Sequence, residues 1–239
     1  MTRVRLVIAH RGASGTRPEN TLAAFQRAHE LGAHMIELDV QLTRDGEVVV
    51  MHDWTLRRTA RVRGRVGART LAELRQLEVG SWFAPGYASE RVPTLGEVLA
   101  CVPLPVNVEL KARRGDDLET RALEVVEAAG AAGRVVFSSF DAGSLVRLRR
   151  RSESAAIAVL WSYRRLTPAL RLAARVRATA LHLRKEATAP AGVGAAVAEG
   201  LQVRVWTVND PGDSARLGDM GVEGVFTDFP ERFLHIAPP

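Results

Sequence analysis

The sequence predicts a closed α/β barrel of eight parallel strands. Three observations lead there. Short β-branched runs alternate with amphipathic helical stretches along all 239 residues, the pattern of a parallel sheet with crossover helices. Nine runs read as strands, one more than closure needs, and the surplus has a home in a tight hairpin. Several strands end in ionisable residues that an apolar core would not select, and barrel sites are built at strand C-termini.

Taken in order, residues 5–10 open the sheet, and residues 21–31 follow as a helix with Asn20 as its N-cap and Gly32 as its stop. Residues 35–40 and 47–52 flank Asp45-Gly46, a hairpin signal too tight for a crossover helix. A two-residue turn there sets His52 opposite Asp39. Residues 53–93 then break the alternation with loop sequence rich in Gly, Pro and Arg, plus one helix-like stretch at 71–77. An excursion of that length after a strand end is expected to be a lid over the barrel mouth. The alternation resumes with strands at 106–111, 135–139, 157–161, 180–183, 203–208 and 224–227. Helices between them include 118–129, stopped by Gly130, 142–151, capped by Asp141, and 166–177, with Pro168 in its first turn. No repeat or linker divides the chain, so residues 1–239 read as one domain.

Composition excludes several classes. No stretch approaches the roughly 18 apolar residues of a membrane span, and the N-terminus carries no signal-peptide pattern. With one cysteine, Cys101, read as a core thiol, the expectation is a cytoplasmic protein. The net charge of +6 is almost all arginine, since Lys111 and Lys185 are the only lysines. Those arginines are spread over the predicted helices with little aromatic interleaving, so nucleic acid is not the expected partner. Weak attraction of anionic small molecules is a fair by-product.

The polar strand ends carry the chemistry. They are His10-Arg11, Glu37-Leu38-Asp39, His52-Asp53, Glu109-Leu110-Lys111, Trp206 and Asp228. Glu37 and Asp39 are two apart, so both point to one face of their strand, and Glu109 and Lys111 repeat this. Like charges about 4 Å apart repel by about 4 kcal/mol at an effective dielectric near 20. Either the carboxylates keep protons or a cation joins them, and all-oxygen ligands suit a hard ion such as Mg²⁺ or Ca²⁺. Arg11 and Lys111 beside such an ion make a phosphoryl-binding site. Two histidines can then serve as acid and base. Singly, each signal has a plainer explanation: a strand-end histidine is commonly structural, and an E-x-D pair is often a solvated edge. Their coincidence in one barrel pattern is what points to a site. His29 and His34, around the end of the first helix and the start of the second strand, read as surface or capping residues; His182 and His235 have no partner motif, and Lys185 reads as an exposed pair with Glu186. Trp54, Trp82 and Phe83 either line the lid or pack it.

The runs HRGASGTRPENTLAAF, IELDVQLTRDGEVVVMHD, PTLGEVL, VELK, FSSF, VRVWTVN and GVFTDFP, in this order, resemble the glycerophosphodiester phosphodiesterase family from about His10 to Pro230. The resemblance implies a somewhat distorted TIM (β/α)8 barrel with a short insertion after the third strand. It implies His10 and His52 as the acid–base pair, and Glu37, Asp39 and Glu109 as ligands of a divalent cation, Mg²⁺ or Ca²⁺. Arg11 and Lys111 would hold the phosphate, and Trp206 would pack on the glycerol carbons with Phe140 shaping the same wall. Glu19 and Asn20 would serve the helix cap and reach towards the site. The implied reaction is hydrolysis of a small glycerophosphodiester to sn-glycerol 3-phosphate and an alcohol, through a cyclic phosphate. The alternatives are a lysophospholipase D on the same scaffold, for which the lid is not greasy enough, and a silent phosphoester-binding module, which would be expected to have lost a histidine or a carboxylate. The charge around residues 181–190 is unusual for the family and bears on the leaving alcohol.

Overall fold

The computed structural model describes residues 4–113, 115 and 117–233, so His235 lies outside the described residues. One sheet runs through them, built of β1 (Leu6–Ala9), β2 (Met35–Leu42), β3 (Val48–Val50), β4 (Val106–Leu110), β5 (Val135–Ser139), β6 (Ala156–Trp161), β7 (Ala180–Arg184), β8 (Gln202–Trp206) and β9 (Gly224–Thr227). The order β1-β9-β8-β7-β6-β5-β4-β2 is closed by β1 on β2, with every contact in the ring parallel. The eight-stranded barrel is therefore present. β3 is the surplus strand and pairs antiparallel with the end of β2.

Crossover helices are α1 (Leu22–Glu30) after β1, then α2 (Leu71–Leu74) and α3 (Leu95–Cys101) after β3. The rest follow in turn as α4 (Leu118–Ala128), α5 (Ala142–Arg151), α6 (Thr167–Val176), α7 (Pro190–Ala198) and α8 (Gly212–Asp219). Period-2 patterning explains which residues face which layer. On β2, Ile36, Leu38 and Val40 join the core between sheet and helices, and on β4 Val106, Val108 and Leu110 do the same. The alternate residues, Glu37, Asp39, Asn107 and Glu109, are thereby turned into the barrel. Below them Ile8, Met35 and Phe226, with Leu6, Val136 and Trp206 against them, fill the interior as an apolar floor. Cys101 is half-buried and packs on the main core rather than lying fully inside it.

Two local expectations need correction. Helix α1 is capped by Thr21, whose hydroxyl accepts from the Ala24 N–H at 3.2 Å, one residue later than Asn20. Asn20 has a left-handed backbone, φ 57°, and sends its amide into the site instead. The hairpin turns in three residues, not two. Thr43 N–H donates to Glu47 O at 3.0 Å, and Gly46 adopts φ +84°, as in a turn followed by a left-handed glycine. The register then sets Val40 opposite Val50 and Met51, whose N–H donates to Asp39 O at 2.9 Å, opposite Asp39. His52 falls one residue past that position, beyond the strand. It is held there by Gln41, whose Nε2 donates to Met51 O at 2.8 Å and Asp53 O at 2.8 Å.

Residues 53–93 pack against the β3 hairpin in a small cluster, with Leu56, Ala60, Val66, Leu74, Val79 and Val92 buried together with Val49 and Met51. A capping box starts α2, Thr70 and Glu73 each bonding the other's backbone N–H. Trp82, Phe83 and Tyr87 stack edge to face within this segment. The Arg113 guanidinium lies 4.5 Å from the Trp54 ring centre.

The loop after β1 turns closely against the start of α1. Gly12 has φ +82°, and a Cβ there would lie 2.7 Å from the Ala24 backbone. Gly12→Ala is expected to cost about 1–3 kcal/mol through backbone strain, read as a lower urea midpoint with an unchanged m-value.

Candidate active site

Strand register builds the centre of the site. Asp39 on β2 is the Cα partner of Glu109 on β4, and Glu37 lies two residues before Asp39 on the same face. One oxygen of each carboxylate lies within 4.8 Å of the others. Glu37 and Asp39 are buried and Glu109 nearly so. Each carboxylate also accepts a hydrogen bond from a protein donor. Arg11 N–H donates to Glu37 Oε2 at 2.8 Å, Asn20 Nδ2 to Asp39 Oδ2 at 2.9 Å, and Lys111 Nζ to Glu109 Oε1 at 2.7 Å.

Burial first, and then the neighbouring Asp39, push Glu37 up to about 8. The same two causes raise Glu109. Burial would raise Asp39 as well, but Arg11 and Lys111 outweigh it and hold Asp39 at about 2. Three acids that resist ionising together, offering only oxygen and lying within one ion's reach, fit a hard divalent cation. The acidic cluster can hold a metal.

The two histidines approach this centre from different loops, each with a carboxylate behind it. His10 Nδ1 lies 2.7 Å from Asp228 Oδ1, and Asp228 Oδ2 accepts from Asn209 Nδ2 at 2.7 Å. His52 Nδ1 lies 2.7 Å from Asp53 Oδ1, and Asp53 is gripped by Arg58. In both rings the Nδ1 bond leaves Nε2 as the free nitrogen. Burial lowers His10, but the Asp228 bond and the Glu37 charge outweigh it, so His10 is raised above 6.5. Burial also lowers His52, Arg11 and Lys111 add to that, and Asp39 and Asp53 do not restore it, so His52 stays below 6.5.

A cavity of about 130 Å³ opens over these groups. His10, Arg11, Glu37, His52, Glu109 and Lys111 line it together with Phe140 and Trp206. Asp39 lies beneath, bridging Lys111 at 3.3 Å and Arg11 at 3.5 Å. Every residue the sequence singled out for the site is therefore gathered at one end of the barrel. Phe140 and Trp206 meet edge to face with ring centres 5.6 Å apart, forming an apolar wall.

Other residues came less directly from the sequence. Asp53 and Asp228 stood out as strand ends without a role, and Gln41, Asn107 and Asn209 gave no signal. Arg58 was one arginine among many. Outside the site, His34 accepts the Val7 N–H at 3.1 Å, and His182 is fully buried against Phe226. Lys185 pairs with Asp213 at 3.2 Å, while Glu186 is taken by Arg184. Trp54, Trp82 and Phe83 are not among the cavity-lining residues.

Comparison with known proteins accords with this geometry. The model of the glycerophosphoryl diester phosphodiesterase family matches residues 10–232. The chain belongs to that family. A glycerophosphodiester phosphodiesterase of Caldanaerobacter subterraneus subsp. tengcongensis is 38% identical over 236 residues, covering 97% of each protein. One from Bacillus subtilis is 32% identical over 95% of this chain and 85% of its own length. Among solved structures, an Oleispira antarctica phosphodiesterase in complex with the product sn-glycerol-3-phosphate superposes with a TM-score of 0.92 at 32% identity, covering 97% of this chain and 96% of that one. The family resemblance and the TIM barrel read from the sequence are thus borne out. Among the described residues no helix is long and apolar enough to cross a membrane.

In this family member the bond to Asp228 is the largest of the influences that raise His10 against its burial, ahead of the Glu37 charge. Asp228→Asn is expected to bring the His10 titration down to or below that value, followed by NMR of the imidazole protons. An unchanged titration would show that Asp228 does not set the charge of His10.

Proposed function

We propose that this chain hydrolyses glycerophosphodiesters to sn-glycerol 3-phosphate and an alcohol. One observation carries the reading beyond family membership. Two histidines with opposite displacements face one cavity together with two cations and a carboxylate cluster. The product held by the Oleispira relative supports the same substrate class.

His52, whose proton is held less tightly, starts as the base, and His10, whose proton is held more tightly, starts as the acid. His52 takes the proton from the glycerol 2-hydroxyl, whose oxygen attacks phosphorus to close a five-membered cyclic phosphate. His10 gives its proton to the departing alkoxide, so the alcohol leaves neutral. Water then opens the ring with the two roles exchanged, which restores both protonation states. Arg11 and Lys111 hold the phosphoryl oxygens, and the Phe140–Trp206 wall packs the glycerol carbons. Glu37, Asp39 and Glu109 would hold Mg²⁺ or Ca²⁺, which would supply further charge stabilisation at the phosphate.

Release of choline from glycerophosphocholine tests the reading. His10→Ala and His52→Ala are each expected to lower kcat by about 10² or more. Wild-type kcat/KM should rise with pH as His52 loses its proton, below 6.5, and fall as His10 loses its own, above 6.5. A profile flat across neutrality would refute the pair. For the metal, Mg²⁺ or Ca²⁺ at about 100 times its Kd should stabilise the protein by about 2.7 kcal/mol, seen as a rise in Tm. Glu37→Gln should need more metal for the same rise.

A further inference from the structure

Arg58 belongs to the segment outside the barrel, yet it is bonded to both sides of the site. Its Nη1 donates to Glu19 Oε2 at 2.6 Å and its Nη2 to Glu19 Oε1 at 2.8 Å. Its Nε donates to Asp53 Oδ2 at 2.8 Å and its Nη2 to Asp53 Oδ1 at 3.1 Å. One guanidinium thus grips two carboxylates, each in two-point fashion, which a lysine ammonium cannot reproduce.

The two carboxylates differ in what lies behind them. Glu19 comes from the loop after β1 and is also bonded to Arg11 at 2.8 Å, so it is fixed to the barrel. Asp53 comes after β3 and carries His52 on its other contact, at 2.7 Å. Gln41 holds the Asp53 backbone carbonyl at 2.8 Å, whereas the Asp53 carboxylate is held by Arg58 and meets His52. Isolated exposed ion pairs contribute little, but this one is a four-bond clamp with one end anchored, and its other end sets a ring.

We propose that Arg58, anchored on Glu19, is a positioning residue for the phosphodiesterase reaction, fixing His52 through Asp53. Held in this way, Asp53 accepts the Nδ1–H of His52 and keeps the ring in the tautomer whose bare Nε2 faces the cavity. Without Arg58, Asp53 can turn away, and the imidazole can rotate and exchange tautomers. The inference rests on the proposed reaction, so its test needs a readout that does not depend on turnover.

The experiment uses Arg58→Met, Arg58→Lys, Asp53→Asn and the double variant Asp53→Asn/Arg58→Met, with glycerophosphocholine as substrate and ¹⁵N NMR of the imidazole nitrogens. Arg58→Met should lower kcat by about 10-fold or more with KM changed less than threefold, and Arg58→Lys should recover little of it. In the Asp53→Asn background the same change should cost less than about threefold, since both act through one contact. The His52 nitrogen shifts should report a single Nδ1–H tautomer in the wild type and a mixture in Arg58→Met. An unchanged tautomer in Arg58→Met, or fully multiplicative losses in the double variant, would overturn the proposal. A wild type inactive on glycerophosphocholine would defeat the proposed function, and the tautomer measurement would still decide the role of Arg58. A change in Tm of more than a few degrees in Arg58→Met, together with an unchanged tautomer, would assign Arg58 to stability instead.

Discussion

Three carboxylates forced together inside a barrel are the constraint around which the rest is arranged. Parallel register places Asp39 beside Glu109, and the two-residue repeat adds Glu37 on the same face. Left alone, such a cluster would be among the most costly things a core can hold. The surrounding residues answer it one by one. Arg11 gives its backbone N–H to Glu37 and its guanidinium to Glu19 and Asp39. Lys111 divides its ammonium between Glu109 and Asp39. Even the helix start is affected: Asn20 leaves the cap to Thr21 and spends its amide on Asp39.

The same compensation shapes the histidines. His10 leans on Asp228, whose remaining contacts are the neutral Asn209 and Ser14. The carboxylate behind His52 is already matched by the charge of Arg58. Arg11 and Lys111 also act on His52. Two imidazoles of the same intrinsic chemistry are therefore displaced in opposite directions by what stands behind and around them. Ile8, Met35 and Phe226 are buried together inside the barrel, and charges set beside such apolar packing act at greater strength than in water.

Much of this was legible in the residues because the barrel repeats simple rules. Alternation on β2 and β4 announces which side chains turn inward, and Asp45-Gly46 announces the extra strand. The cap and the hairpin register were misread for one reason. Asn20 and Gly46 are both residues that tolerate left-handed backbone, and sequence alone does not say which use of that tolerance is taken. Asn20 uses it to redirect an amide, and Gly46 to lengthen a turn by one residue. Arg58 was illegible for another reason: its anchoring partner, Glu19, lies 39 residues away in the chain, and nothing local distinguishes it from neighbouring arginines.

The hairpin that carries His52 has a consequence for how the molecule behaves among its copies. β2 outgrows the ring, and a protruding strand with bare N–H and C=O groups is a template for pairing with other chains. β3 occupies that flank through Val40, Gln41 and Leu42. The outer flank of β3 is met in turn by Thr94, which bridges Val49, and by Pro93, whose carbonyl accepts the Val50 N–H at 2.8 Å. The flank of β3 that would otherwise offer bare backbone groups to a second molecule is therefore paired within the chain at Val49 and Val50.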